Sequence, residues 1–166
     1  MKRLAALIAV FILSSVLCLG GPAPLPSQGD DRGHPVLQLG GNKIEVDHGR
    51  PTLRGRKPEA MIQPGQVWRM GSNTPTTLST QASLKFGEKV IPAGKYILQA
   101  KLIEPQKWQL LISSESGSVI AEVPFNLRTL DKSVELLTIT LEKKDKGGRL
   151  ILQWGTLSLA ADFQPS

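Results

Sequence analysis

Residues 95–102, K-Y-I-L-Q-A-K-L, alternate between apolar and polar side chains. The alternation puts Tyr96, Leu98, Ala100 and Leu102 on one face of an extended chain, opposite Gln99 and Lys101. A period of two residues is that of a β-strand with one buried face, whereas an amphipathic helix repeats about every 3.6 residues. The stretch therefore predicts a strand that lies against a core.

The same alternation recurs on both sides of this stretch. It occupies residues 43–48, 108–112, 150–154 and 157–163. In residues 134–141 its phase slips between Leu136 and Leu137, which is the pattern of a β-bulge. No window of the sequence keeps a helical period over three turns, so the chain is predicted to be built from strands.

Turns that contain glycine or proline separate these segments. F-G-E-K at residues 86–89 and I-P-A-G at residues 91–94 bracket a short strand, and D-K-G-G at residues 145–148 is typical of a hairpin loop. We therefore predict an all-β fold over residues 36–164. The expected architecture is a single antiparallel β-sandwich, jelly-roll-like or similar, of about eight short strands.

The first 20 residues have the composition of a secretory signal. Lys2 and Arg3 precede an apolar run, Leu4–Leu13, and small residues follow it. We expect residues 1–20 to be a cleaved signal peptide or an N-terminal anchor, and residues 21–35, rich in Pro and Gly, to be a linker. The predicted location is outside the cytoplasm, in the periplasm or secreted.

Cys18 is the only cysteine of the chain. It falls where a lipoprotein acceptor would lie, but Leu17 and Ser15 occupy positions where a lipobox has a small residue and usually a leucine. An incidental cysteine is therefore favoured, and a membrane contact is expected only through an uncleaved signal or a lipidated Cys18. Cleavage after Cys18 would leave no thiol for disulfides, nucleophilic catalysis or zinc binding.

The positive charge of the chain is local. Lys2 and Arg3 supply two of the six net charges, so the chain from Gly21 onward carries +4. Residues 49–69 hold five basic side chains against Glu59 alone, which is also +4, so the remainder of the mature chain is neutral in sum. A local charge with few aromatic residues is not typical of nucleic-acid binding, and no nucleic-acid partner is expected.

Few residues are suited to catalysis or metal binding. The two histidines are His34, in the linker, and His48, at the end of a predicted strand, where the adjacent Asp47 points to the opposite face. The sequence has no G-x-S-x-G and no H-E-x-x-H motif. No catalytic residue, metal site or cofactor is predicted. The sequence is still compatible with a catalytic pair of carboxylates for glycoside hydrolysis, because the two residues of such a pair need not be close in sequence.

The arginine-rich segment is the most informative candidate for a site. Arg50, Arg54 and Arg56 are evenly spaced, and guanidinium groups suit either anionic ligands or the backbone carbonyls of a loop-rich fold. The stretch W-R-M-G-S-N at residues 68–73 adds an aromatic ring, a further cation and an amide. The candidate ligand-binding residues are His48, Arg50, Arg54, Arg56, Trp68, Arg69 and Asn73.

Three motifs resemble a known family. They are G-R-P-T-L-R-G-R at residues 49–56, P-G-Q-V-W-R-M-G-S-N-T-P-T-T-L at residues 64–78 and I-P-A-G-K-Y-I-L at residues 91–98. In this order and spacing they are similar to those of the bacterial family called domain of unknown function 2911, over roughly residues 44–154. The chain departs from that pattern at Ser72, where the family usually has alanine, and lacks the N-x-x-W-G-like stretch expected after Trp108. The resemblance implies an exported β-rich domain without an established activity.

Three functions are consistent with these observations. The first is a non-catalytic binding module of the cell envelope, whose arginine-bearing loops hold an anionic small molecule or a cell-envelope glycan. The second is a hydrolase of an anionic or glycan substrate, with His48 or a carboxylate as base. The third is a purely structural domain in which the arginines act as internal struts.

Overall fold

The computed structural model describes residues 31–166, and in this range the alternating segments form antiparallel strands. The strands are β1 (Arg32–Gly33), β2 (Val36–Leu39), β3 (Asn42–Gly49), β4 (Val67–Trp68), β5 (Thr76–Thr80), β6 (Leu84–Phe86), β7 (Lys89–Ile91), β8 (Gly94–Glu104), β9 (Lys107–Ser113), β10 (Val119–Lys144) and β11 (Gly147–Pro165). The only helix of this part of the chain is α1 (Pro58–Met61), a single turn. The all-β prediction is therefore confirmed.

The strands form one 11-stranded antiparallel sheet with the order β1-β3-β5-β8-β9-β10-β11-β6-β7. β2 pairs with β3, and β4 pairs with β8, beside this main path. Sequential hairpins account for the β8–β9, β9–β10, β10–β11 and β6–β7 contacts. With the β2–β3 hairpin, sequential strands thus make five of the ten strand pairings, and the other five join strands that are not neighbours in the chain.

β10 and β11 are much longer than the other strands, with 26 and 19 residues. The first part of β10 pairs with β9, and from Asn126 onward it pairs with β11. Register shifts interrupt the β10–β11 pairing on both sides of Val134. The second shift spans Leu136 and Leu137, which confirms the predicted bulge, and such bulges bend a long strand.

The chain after β3 reaches across to the second part of β10. Thr52 forms an isolated antiparallel bridge with Leu136. The N–H of Leu53 donates to the carbonyl of Glu135 at 2.9 Å, and the N–H of Leu137 donates to the carbonyl of Pro51 at 3.0 Å. We call residues 48–53 together with residues 135–139 the β3–β10 junction.

The core is one hydrophobic cluster that draws on strands far apart in the sheet order. Ile44 of β3, Leu98 of β8 and Leu152 of β11 have no exposed surface in it. The residues predicted to point inward from β8 are all buried. The alternation of the sequence therefore gives the inward face correctly.

The predicted number and length of the strands were wrong. Eleven strands replace about eight, because edge strands of two or three residues, such as β1 and β4, are too short to show alternation. The predicted hairpin at residues 145–148 is present, since Lys144 pairs with Gly147. The short strand predicted between residues 86–89 and 91–94 is β7, which pairs with β6.

The N-terminal predictions fall mostly outside the described residues. The signal segment, Cys18 and the linker up to residue 30 lie there. The predicted linker ends within the described part, where Arg32 and Gly33 already pair with β3. No helix of residues 31–166 is long and apolar enough to cross a membrane.

A substitution of Gly155 tests how closely α1 packs against β11. It has a φ of 61°, and a Cβ at this position would lie 2.9 Å from Cδ of the buried Pro58. Gly155→Ala should therefore lower the free energy of unfolding by more than the ~1 kcal/mol of left-handed strain alone. Gly87→Ala is the control, since Gly87 has a φ of 57° and no atom within 4 Å of a built Cβ. If urea denaturation shows that the two variants lose equal amounts of unfolding free energy, close packing of α1 on β11 is contradicted.

Candidate functional site

His48 is a buried link between β3 and β10. It is 1% exposed, and its Nε2 accepts a hydrogen bond from the backbone N–H of Ile139 at 3.1 Å. On its other side lies Gly33 of β1, where a Cβ would come within 2.2 Å of the imidazole Cε1. The ring therefore rests on a glycine backbone, and only a residue without a side chain fits at position 33.

The protonation state of His48 follows from these contacts. Because Nε2 accepts a hydrogen bond, the ring proton lies on Nδ1, which has no partner among residues 31–166. Burial, with the positive charges of Arg50 and Arg32, lowers the pKa of His48 from 6.5 to about 4, against the opposing charge of Asp47. The imidazole is neutral and its lone pair is engaged, so it is not available as the base of a hydrolase.

Arg50 is half-buried and contacts two other parts of the chain, Leu137 of β10 and Asp31 before β1. Its Nε donates to the carbonyl of Leu137 at 3.4 Å, and its Nη1 lies 3.6 Å from Oδ2 of Asp31. Its backbone N–H donates to the carbonyl of Asp31 at 2.8 Å. The guanidinium is thereby committed to contacts within the protein.

Arg54 and Arg56 lie on a turn at the edge of the junction. Arg54 has a φ of 50°, so the chain is not extended here and the three evenly spaced arginines do not share one face. The backbone N–H of Arg54 donates to Oε1 of Glu135 at 2.9 Å. The guanidinium of Arg56 donates to the carbonyls of Leu53 at 3.0 Å and Thr52 at 3.3 Å. Both residues thus brace the turn.

Trp68 belongs to a cluster of three tryptophans. Its ring stacks on Trp154 with centroids 5.7 Å apart and planes 13° apart, and meets Trp108 edge-on at 6.4 Å. Trp68 is half-buried and packs against the hydrophobic core. These ring contacts occupy Trp68 in packing, so it does not join the arginines in a common surface.

Arg69 and Asn73 lie on the loop between β4 and β5. The backbone of this loop presses against β3, since a Cβ on Gly49 would lie 2.3 Å from the carbonyl oxygen of Ser72. Nη1 of Arg69 donates to the carbonyl of Asn73 at 3.1 Å. Both side chains are exposed, and they extend over the sheet rather than into the junction.

Beneath these two residues lies a cleft of about 520 Å³ on the face of the sheet that points away from the core. The β8–β9 register pairs Ile97 with Ser113 and Gln99 with Leu111, and paired residues of antiparallel strands share a face. We call this the outer-face cleft; its lining includes Arg69, Asn73, Ile97, Gln99, Ser113 and Gly117. Among the lining residues that the structure describes, Arg69 is the only charged side chain.

Ser113 is the unusual polar group of the outer-face cleft. It is 1% exposed, and its hydroxyl has no hydrogen-bond partner within the described part of the chain. Buried hydroxyl groups nearly always have a partner, because losing their hydration costs free energy. The hydroxyl of Ser113 is thus a donor and acceptor whose hydrogen-bonding capacity the described residues do not use.

The structure divides the candidate residues predicted from the sequence. Arg50 and His48 lie in the β3–β10 junction, Arg54 and Arg56 lie at its edge, and Arg69 and Asn73 lie on the outer-face cleft with Gln99 and Ser113. Sequence reasoning missed the last two, since a glutamine and a serine on alternating strands carry no signal of their own. Among residues 31–166, no three His, Cys, Asp or Glu side chains group as metal ligands do.

The fold and the outer-face cleft define a small antiparallel β-sheet protein that carries a cleft with one arginine on the outer face of its sheet. The chain belongs to the family described as Protein of unknown function (DUF2911), which matches residues 33–163. The resemblance seen in the three motifs is therefore confirmed. No curated protein and no solved structure gives a significant match.

Arg50→Met tests the structural role of this arginine. Loss of its contacts with Leu137 and Asp31 should lower the free energy of unfolding by about 1–2 kcal/mol, measured by urea denaturation. Arg69→Met is the matched control, because Arg69 is exposed and its one bond lies within its own loop. A loss in Arg50→Met no larger than that in Arg69→Met would contradict the assignment.

The lowered pKa of His48 predicts that the free energy of unfolding falls in mild acid. Its pKa is about 4 when folded and 6.5 as the ordinary value, so the unfolded chain takes up the proton first as the pH falls. Its contribution is full above pH 6.5 and is lost progressively toward pH 4, by up to about 3 kcal/mol.

His48→Gln keeps an acceptor for the N–H of Ile139 but cannot titrate. The difference in unfolding free energy between the native protein and this variant, measured from pH 7.5 to 4 in the window that the shift defines, should shrink as the pH falls. A difference that is constant with pH would contradict a buried neutral imidazole.

Proposed function

We propose that the protein is a non-catalytic binding module of the bacterial cell envelope, which holds a small anionic ligand in the outer-face cleft. The observation that carries the proposal is that Arg69 lines the same cleft as Ser113, whose buried hydroxyl has no partner among the described residues. A cation and an unused buried hydroxyl together favour a ligand with a charged group and a hydrogen-bonding body.

The chemistry of the cleft supports an acidic ligand. Arg69 uses one of its N–H groups on the carbonyl of Asn73, and no other bond of its guanidinium is found within residues 31–166. The remaining N–H groups of the guanidinium suit bidentate binding of a carboxylate or phosphate. No aspartate or glutamate is among the lining residues that would repel such a group.

The neutral groups of the cleft support a sugar as the body of the ligand. Gln99 contributes an amide and Ser113 a hydroxyl, and both can donate to and accept from the hydroxyl groups of a sugar. The apolar Ile97 pairs directly with Ser113 and lies two residues from Gln99 on the same strand. A carboxylate-bearing cell-envelope sugar fits all three features.

We also propose that the sheet folds over into the two layers of a β-sandwich. The support is the β3–β10 junction, which brings together two strands separated by three others in the sheet order. The bulges of β10 around Val134 supply the bend that such folding requires.

The proposed location in the envelope rests on the sequence. The basic start, the apolar run Leu4–Leu13 and the small residues that follow are typical of an export signal. Mass spectrometry of the protein purified from its cells would test this, because export with cleavage predicts a mature chain that lacks the first 20 or so residues.

A matched pair of sugars tests the binding function. N-acetylmuramic acid differs from N-acetylglucosamine by a lactyl ether that carries a carboxylate, so calorimetry should give at least about tenfold tighter binding of the acid. Inorganic phosphate serves as a third ligand, which shows whether a bare anion suffices.

The variants locate the site. Arg69→Met should abolish the preference for the acid, whereas Arg54→Met, an exposed arginine outside the cleft, should leave it unchanged. Ser113→Ala should weaken binding while raising the free energy of unfolding by about 1 kcal/mol, because it removes a hydroxyl that lacks a partner. Equal binding of the two sugars, or equal effects of the two arginine variants, would refute the proposal.

A further inference from the structure

A second cleft, of about 540 Å³, lies at the other end of the β8–β9 hairpin. Its walls come from α1 and the residues after it, from the β8–β9 turn, and from β10 and β11. We call it the helix-side cleft. It shares no lining residue with the outer-face cleft, so the two form separate surfaces.

The walls of the helix-side cleft are mainly apolar. Ile62, Leu102, Trp108, Leu127 and Leu157 line it, and all but Leu127 are at least nine-tenths buried. Sites for small organic molecules have this size and this predominance of apolar side chains, with a few polar groups that fix orientation. The cleft can therefore bury the apolar body of a small molecule.

The position of α1 keeps this cleft in shape. Pro58, the first residue of the helix, is buried against Gly155 of β11, which has no side chain to hold it off. The N–H of Ile62 donates to the carbonyl of Pro58 at 3.2 Å, which directs the chain after the helix along the cleft. The wall is thus fixed by contacts rather than by a free loop.

The single charged group in the part of the lining that the structure describes is negative. Glu59 of α1 lines the cleft, and its Oε1 accepts a hydrogen bond from the hydroxyl of Thr156 at 3.3 Å. Arg56 and Lys57 precede the helix, but neither is among the lining residues. The second carboxylate oxygen of Glu59 has no partner within the described residues, so it can accept from a ligand.

Trp108 adds a second feature that favours a cation. It is a lining residue, 6% exposed, and the indole is the aromatic ring to which cations bind most strongly. Carboxylate, indole and aliphatic side chains together match a molecule with an apolar body and a protonated amine. The outer-face cleft, with Arg69 as its one charged residue, has the opposite preference.

We propose that the helix-side cleft binds a small organic cation, in which a protonated amine meets Glu59 and an apolar body fills the space between α1 and the β8–β9 turn. The proposal does not depend on the anionic ligand of the outer-face cleft. The two sites lie on different residues, and a ligand can be tested at each of them separately.

Three compounds of nearly equal shape test this proposal at neutral pH. They are phenethylamine, 2-phenylethanol and 3-phenylpropionate, which carry a cation, a neutral hydroxyl and an anion. Trp108 lines the cleft, so tryptophan fluorescence reports binding, with calorimetry as a second measurement. The amine should bind about tenfold more tightly than the alcohol, and the acid should bind most weakly.

Glu59→Gln is the main variant, because the amide keeps an acceptor for the hydroxyl of Thr156 and removes only the charge. It should reduce the affinity for the amine to that for the alcohol. Glu142→Gln, at an exposed carboxylate of β10 outside the lining, should leave both affinities unchanged. Thr129→Trp should fill the cleft and weaken both compounds at least tenfold.

The outcomes decide between the alternatives. Arg69→Met should leave amine binding intact, so failure of the outer-face proposal does not affect this result. Equal binding of amine and alcohol, an amine affinity that Glu59→Gln does not change, or no binding of any compound at millimolar concentration would each overturn the proposal.

Discussion

The hydrogen bond from the N–H of Ile139 to the imidazole of His48 lies at the centre of the β3–β10 junction, which joins two strands that three others separate in the sheet order. A backbone donor buried between strands must find an acceptor, or the fold loses the free energy of its hydration. Histidine provides this acceptor only while it is neutral, and burial with nearby arginines keeps it so. The backbone bonds of Leu53 and Leu137 flank this contact and make one continuous connection.

The junction separates the arginines of residues 49–69 into two groups. Arg50, which is half-buried, and Arg56, which is exposed, donate to carbonyls of the junction and its turn, as struts would. Arg69 lies on another loop that Gly49 and Gly71 hold close to β3, and from there it reaches the outer face of the sheet. The arginines of residues 49–69 are therefore divided between contacts at the junction and a position on the outer face of the sheet.

Much of the fold follows from the sequence because alternation reports burial strand by strand. It identifies the inward face of β8, the bulge of β10 and the turns at residues 87–88 and 145–146, which are all local features. The junction could not be predicted, since contacts between residues 48–53 and 135–139 depend on how distant strands meet. The candidate site shows the same limit. Local motifs identify Arg69 and Asn73, whereas Gln99 and Ser113 are recognised as cleft residues only from the pairing of β8 with β9.

Native-state hydrogen exchange measures the dependence of the fold on the junction most directly. If the junction holds the structure together, the amides of Leu53, Leu137 and Ile139 exchange only when the whole domain unfolds. Their protection free energies should then equal the free energy of unfolding from urea denaturation. Exchange of these three amides by local opening, at a much lower free energy than the amides of β8 and β9, would contradict the account.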